Sequence, residues 1–221
     1  MRARNIIVGL VAICVVTPAH DVITTPLTFS REISRLIDSR CAECHRPGGR
    51  AFSLLTYQDA RPWAAAIKEE VLERRMPPWG AVKGFGEFRD DRGLTQEQVG
   101  LIADWVEGGA PEGDPKLRPS LPEFHGGTRS REAKAFAVSE SYTLRSATTV
   151  IGIRPGKLPE GATMTVVAER PDGSTEPLLW LYQFNPKFAH DYWYAAPMQL
   201  PAGTRIQISP SEAGAISLLV K

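Results

Sequence analysis

Residues 41–45 read Cys-Ala-Glu-Cys-His, and no other stretch restricts the chain's fold and chemistry as much. Two thiols one helical turn apart can each add to a haem vinyl group, and the adjoining imidazole is then held against the iron as its proximal ligand. The histidine that follows at once separates this pattern from thiol redox sites and half zinc sites, which share a bare Cys-x-x-Cys. No second cysteine pair exists to complete a zinc site, the third cysteine being Cys14 near the N-terminus. The competing reading is a chance match whose cysteines form a disulfide. One covalent haem c on Cys41 and Cys44, with His45 on iron, is the expectation that organises the rest. A macrocycle supplies apolar surface that a short segment cannot build for itself.

The N-terminus agrees with that chemistry. Arg2 and Arg4 precede a short apolar run from Ile6 to Val16, and Thr17-Pro18-Ala19 offers a small-residue cleavage site. Residues 1–19 therefore read as a signal peptide, and the chain as an exported, periplasmic protein. An uncleaved segment would instead anchor it to the membrane. Cleavage would remove Cys14, leaving Cys41 and Cys44 as the only thiols, and would shift the formal charge from +1 to −1. Neither value calls for nucleic acid or an anionic membrane surface as partner.

Hydrophobic periodicity predicts three helices between residues 27 and 115. Phe29, Ile33, Leu36 and Ile37 line one face of a helix leading into Cys41. Thr56 caps a longer helix expected to run from Tyr57 to Arg75, with Trp63, Ile67, Val71 and Leu72 on its buried side. Thr95 opens the third through a capping box with Gln98, burying Val99, Ile102 and Val106 until Gly108-Gly109 ends it. Trp63, Trp79 and Trp105 read as pocket walls or core.

Between the second and third helices lies Arg75-Met76-Pro77-Pro78-Trp79. Two prolines stiffen the backbone just after Met76 and forbid helix there. A weak thioether ligand needs a rigid loop, so Met76 is the candidate sixth ligand of the iron. Thioether ligation raises the reduction potential relative to a second imidazole. His125, His190 or an open position are the alternatives. Pro47 is the candidate acceptor for the second ring nitrogen of His45.

Residues 29–115 resemble a class I type cytochrome c domain, more narrowly the small modules carrying Met-Pro-Pro-Trp and a closing Trp-Val-Glu-Gly-Gly-Ala-Pro-Glu-Gly segment. The resemblance implies His45 and Met76 as axial ligands and outer-sphere electron transfer as the task. Residues 116–136, rich in Pro, Gly, Ser and charge, read as a linker. Beyond it, β-prone runs at Tyr142–Leu144, Thr148–Ile153, Thr163–Ala168, Leu178–Tyr182 and Thr204–Ile208 alternate with turn sequences. Residues 137–221 thus read as a small antiparallel β-sandwich-like domain. Arg170-Pro171-Asp172-Gly173 and Tyr194-Ala195-Ala196-Pro197-Met198 resemble the C-terminal domain of copper type II, ascorbate-dependent monooxygenases. The His-x-His copper pair of that family would fall on Gly156 and Leu158, so the resemblance carries over the fold but not the metal.

The expected fold class is α+β and multidomain: an N-terminal all-α cytochrome c domain over 27–115 followed by the β domain. The expected function is one-electron transfer to a redox partner protein, without a catalytic residue. The alternative is the haem subunit of an oxidoreductase, peroxidase-like or oxygenase-associated, with an open sixth position.

Overall fold

The computed structural model describes residues 26–124 and 132–221. The signal peptide read over 1–19, the cleavage site, Cys14, part of the linker and His125 lie outside the described residues.

Eight strands make two four-stranded sheets: β1 (Lys134–Val138), β2 (Ser141–Thr143), β3 (Thr148–Pro155), β4 (Ala162–Glu169), β5 (Thr175–Phe184), β6 (Tyr192–Leu200), β7 (Arg205–Ser209) and β8 (Ile216–Val220). One sheet has the order β1-β8-β3-β6 and the other β2-β7-β4-β5, every pair antiparallel. Alternation drives this packing. In β4, Met164, Val166 and Ala168 point inward, and they meet Val150, Ile153 and Leu218 of the other sheet in one shared core.

The N-terminal half is helical only in pieces. A first stretch, Phe29–Ile33, α1 (Ser34–Leu36) and Ile37–Cys41, is one continuous coil whose ends carry wider i to i+5 turns. Then come α2 (Tyr57–Ala60), a tight turn over Arg61–Trp63, α3 (Ala64–Leu72) and α4 (Gln96–Glu107). Their core gathers Phe29, Ile33, Ile37, Val71, Val99, Ile102 and Trp105. The Thr95 capping box forms as the sequence predicts, with Gln98 N–H donating to the Thr95 hydroxyl at 3.1 Å.

This overturns the expected fold class. There is no N-terminal all-α cytochrome c domain, and the regular structure is mostly antiparallel sheet with a few short helices. Three physical causes stand out. Pro62 divides the helix predicted over Tyr57–Arg75 with a tight turn at Arg61–Trp63, and Trp63 and Leu72 face solvent instead of the core. The helix ends at Leu72, short of the predicted Arg75, where Arg74 takes a positive φ of 56°, and Pro77 and Pro78 keep the following stretch out of helix. Residues 80–89 then form backbone bonds with the sheets, and Trp79 and Ala81 belong to the β core.

The segment Gly108–Gly113 closes the helical half onto its own beginning. Phe29 N–H and the Trp105 indole N–H both donate to the Pro111 carbonyl, at 2.9 and 3.0 Å, and Tyr57 OH donates to the Ala110 carbonyl at 3.1 Å. The closing segment quoted for the resemblance thus has a packing role. Arg118 adds a two-pronged ion pair with Asp38, at 2.8 and 3.0 Å, and a bond to the Leu55 carbonyl at 2.9 Å.

Candidate functional site

One helical turn sets the spacing of the motif. Cys44 N–H and His45 N–H both donate to the Cys41 carbonyl, at 3.1 and 2.9 Å, so Cys41 and His45 stand one turn apart along one face. The two thiols are not bonded to each other in this structure. Among the described residues no group of three or more His, Cys, Asp or Glu side chains converges to hold a bare metal ion.

Burial chiefly, with the negative Asp38 and the neighbouring Cys44 adding to it, pushes the Cys41 thiol up to about 12. Redox-active Cys-x-x-Cys pairs require the opposite, a thiol pulled down so that the thiolate attacks at neutral pH. Cys41 is therefore not poised for disulfide exchange.

The chain after His45 folds back over the motif. Gly49 N–H donates to the Arg46 carbonyl at 2.9 Å, Ala51 N–H to the Cys44 carbonyl at 3.1 Å, and Leu54 N–H to the His45 carbonyl at 3.2 Å. Glycine is required at 49, where a Cβ would stand 2.3 Å from the Cys44 carbonyl oxygen. This return brings the Phe52 carbonyl 3.0 Å from His45 Nδ1. A carbonyl only accepts, so Nδ1 carries the proton and Nε2 is the nitrogen left for a metal. The acceptor is Phe52, not Pro47 as expected; a backbone acceptor seven residues on leaves no trace in side-chain identity.

The same loop exposes an aromatic face. The His45 and Phe52 rings meet edge to face at 5.0 Å, and Phe52 packs on Trp63 at 4.5 Å. Phe52 and Trp63 remain 49 % and 47 % exposed, which is unusual for adjacent aromatics. Two thiols, an oriented imidazole and an apolar face are the donor set and surroundings that haem c requires, so these residues fit the group.

Met76 is half-buried and lines a cavity of about 40 Å³ at the seam between the two cores. Val71, Leu94 and Val99 stand on the helical side, Trp79, Ala81 and Tyr182 on the sheet side. Its amide and that of Arg75 both donate to the Glu70 carbonyl, at 3.1 and 2.9 Å. Met164, by contrast, is sealed in the sheet core. Arg75 is tied to Glu70 and Glu69, the Glu70 bond chiefly raising its pKa, and Arg74 reaches Gln96 at 3.3 Å.

His190 lies against Trp79 at 4.9 Å and Tyr192 at 4.4 Å, with Nδ1 donating to the Phe188 carbonyl at 2.8 Å. Its Nε2 is buried with no partner among the described residues. Burial chiefly, helped by the nearby Arg92 charge, holds this imidazole below its usual pKa, against the Phe188 bond and Asp191. The sequence missed the segment 80–89 as part of the site's support. Its signal was faint: a Gly-Phe-rich run without helical period.

No protein-family model, curated protein or solved structure matches the chain.

Proposed function

We propose that this chain is an exported, mono-haem c-type cytochrome that transfers single electrons to and from a redox partner protein in the periplasm. Cys41 and Cys44 would carry the haem, and His45 Nε2 and Met76 would ligate its iron. The observation that carries the reading is the His45 ring, fixed through Nδ1 by the Phe52 carbonyl at 3.0 Å, with one thiol on the adjoining Cys44 and the other on Cys41 one turn back. A metal-ligating imidazole is oriented in this way by a bond to its other nitrogen. The bound haem supplies a one-electron couple, and thioether ligation places its potential in the upper part of the range for such groups.

The residues divide the work. The return loop 46–54 fixes the tautomer and aim of His45. The Phe52–Trp63 face offers apolar surface for a macrocycle. Prolines 77 and 78 limit the excursions of Met76, so that ligation costs little ordering entropy.

The test is the optical spectrum of the matured protein in both oxidation states, beside Met76→Ala. The proposal expects a low-spin haem, inert to carbon monoxide, with the weak sulfur-to-iron charge-transfer band of the ferric form lost in the variant. A high-spin wild type that binds carbon monoxide overturns the carrier reading in favour of an oxidoreductase with an open sixth position.

A further inference from the structure

The segment that follows Met76 is gripped by both sheets. β5 and β6 are the terminal strands of their respective sheets. On β5, Tyr182 N–H donates to the Gly80 carbonyl at 2.9 Å and Val82 N–H to the Trp180 carbonyl at 2.8 Å. On β6, Arg89 N–H donates to the Trp193 carbonyl at 2.7 Å and Ala195 N–H to the Glu87 carbonyl at 2.8 Å. Residues 80–89 thus bond to the outer edge of each sheet, where unpaired backbone groups would otherwise face solvent.

The grip reaches Met76 through Trp79. Trp79 is 7 % exposed and packed in the sheet core, its ring 5.1 Å from that of Tyr192. The buried Tyr192 hydroxyl donates to the Trp79 carbonyl. Only Pro77 and Pro78 separate Trp79 from Met76, and their fixed φ angles transmit position along the chain. From the other side, the end of α3 holds the Met76 amide through the Glu70 carbonyl. The methionine is suspended between the two halves of the molecule.

We propose that the β sandwich is the clamp that positions Met76 as sixth ligand, with Tyr192 acting through Trp79 as a positioning residue. This rests on the haem reading above. A thioether binds iron weakly, so the fraction of molecules with the sulfur in place depends on how firmly its loop is held. The sandwich therefore sets the coordination state and potential of the haem, beyond any part it plays in meeting a partner.

The experiment compares matured full-length wild type, Tyr192→Phe, and Tyr142→Phe as a control on β2. Losing one buried hydrogen bond corresponds to roughly a five- to tenfold shift in a local equilibrium. Tyr192→Phe is expected to weaken the ferric sulfur-to-iron band, and to raise by roughly that factor the fraction of ferrous protein binding carbon monoxide at a fixed sub-saturating concentration. Tyr142→Phe is expected to change neither. If Tyr192→Phe does not fold, Arg89→Ala serves instead, since Arg89 Nε donates to the Tyr194 carbonyl at 2.9 Å from an exposed position. A variant that keeps the wild-type band and inertness, whatever its melting temperature, overturns the clamp while leaving the haem reading intact. A wild type without the band overturns both.

Discussion

The two halves of the molecule bury their apolar residues to different degrees. In the sheets, alternating side chains from eight strands close on one core, where Val150, Ile153, Met164, Leu179 and Leu181 are wholly buried. In the helical half, short helices gather a smaller core around Trp105, yet Phe52 and Trp63 stack together in solvent next to His45. Strand alternation gives a self-sufficient packing unit. The helical half instead concentrates exposed apolar surface around its thiols and imidazole, where a prosthetic group would be useful. Its most demanding loop, 76–89, is anchored on the sheets.

The largest perturbation that separates the halves is Leu181→Ala. Removing this wholly buried side chain should cost about 2–5 kcal/mol in urea unfolding followed by far-ultraviolet circular dichroism. Leu181 bridges to Ala81, so the Met76 spectral band should weaken with it. A band unaffected at full destabilisation would show that the halves act independently. Arg118→Ala should come next, at about 2 kcal/mol, because it strips a mostly buried partner from Asp38 while some solvent access limits the loss. Its effect should fall on the helical half, read by faster proteolysis near Asp38 with the sheets still protected.

Acid should loosen the seam. In the folded chain His190 is held neutral by burial and by Arg92, with Asp191 opposing. The unfolded chain takes up a proton as the pH falls through about 6.5, the ordinary histidine value, before the folded one does. Stability is therefore complete above that pH and declines as the pH drops towards the depressed folded value. Melting temperature against pH should show this slope in wild type and lose it in His190→Gln; equal slopes would remove His190 from the account. The smallest effect is expected for Trp63→Ser, within about 0.5 kcal/mol before haem attachment, since the ring is already half in solvent. A large loss there would mean that the aromatic face is core after all, and the contrast between the halves would fail.

Local signals in the sequence were legible where one rule dominated. Alternation located β3, β4 and β7 closely, and the Thr95 capping box placed the start of α4. The strand β6 was not located because Tyr192–Leu200 carries no regular apolar–polar alternation and includes Pro197, and β8 was not located although Pro210 and Gly214 mark a turn before Ile216. The all-α expectation failed on a competition that periodicity does not register. Pro62 interrupts an otherwise helical pattern, and residues 80–89 gain more by completing two sheet edges than by joining helices. In the site, the thiols and His45 were visible as residue types. The Phe52 carbonyl and the Tyr192 hydroxyl were not, since one is backbone and the other lies more than a hundred residues away from Trp79.

The central claim is that Cys41 and Cys44 carry haem c. Intact-mass spectrometry under denaturing conditions tests it directly, on full-length protein produced in a cell that matures c-type cytochromes, beside the Cys41→Ser/Cys44→Ser variant. The account predicts one haem mass added to the wild-type chain, resistant to acid extraction, and none on the variant. Wild-type protein at the bare polypeptide mass, or haem that washes out on denaturation, would contradict it.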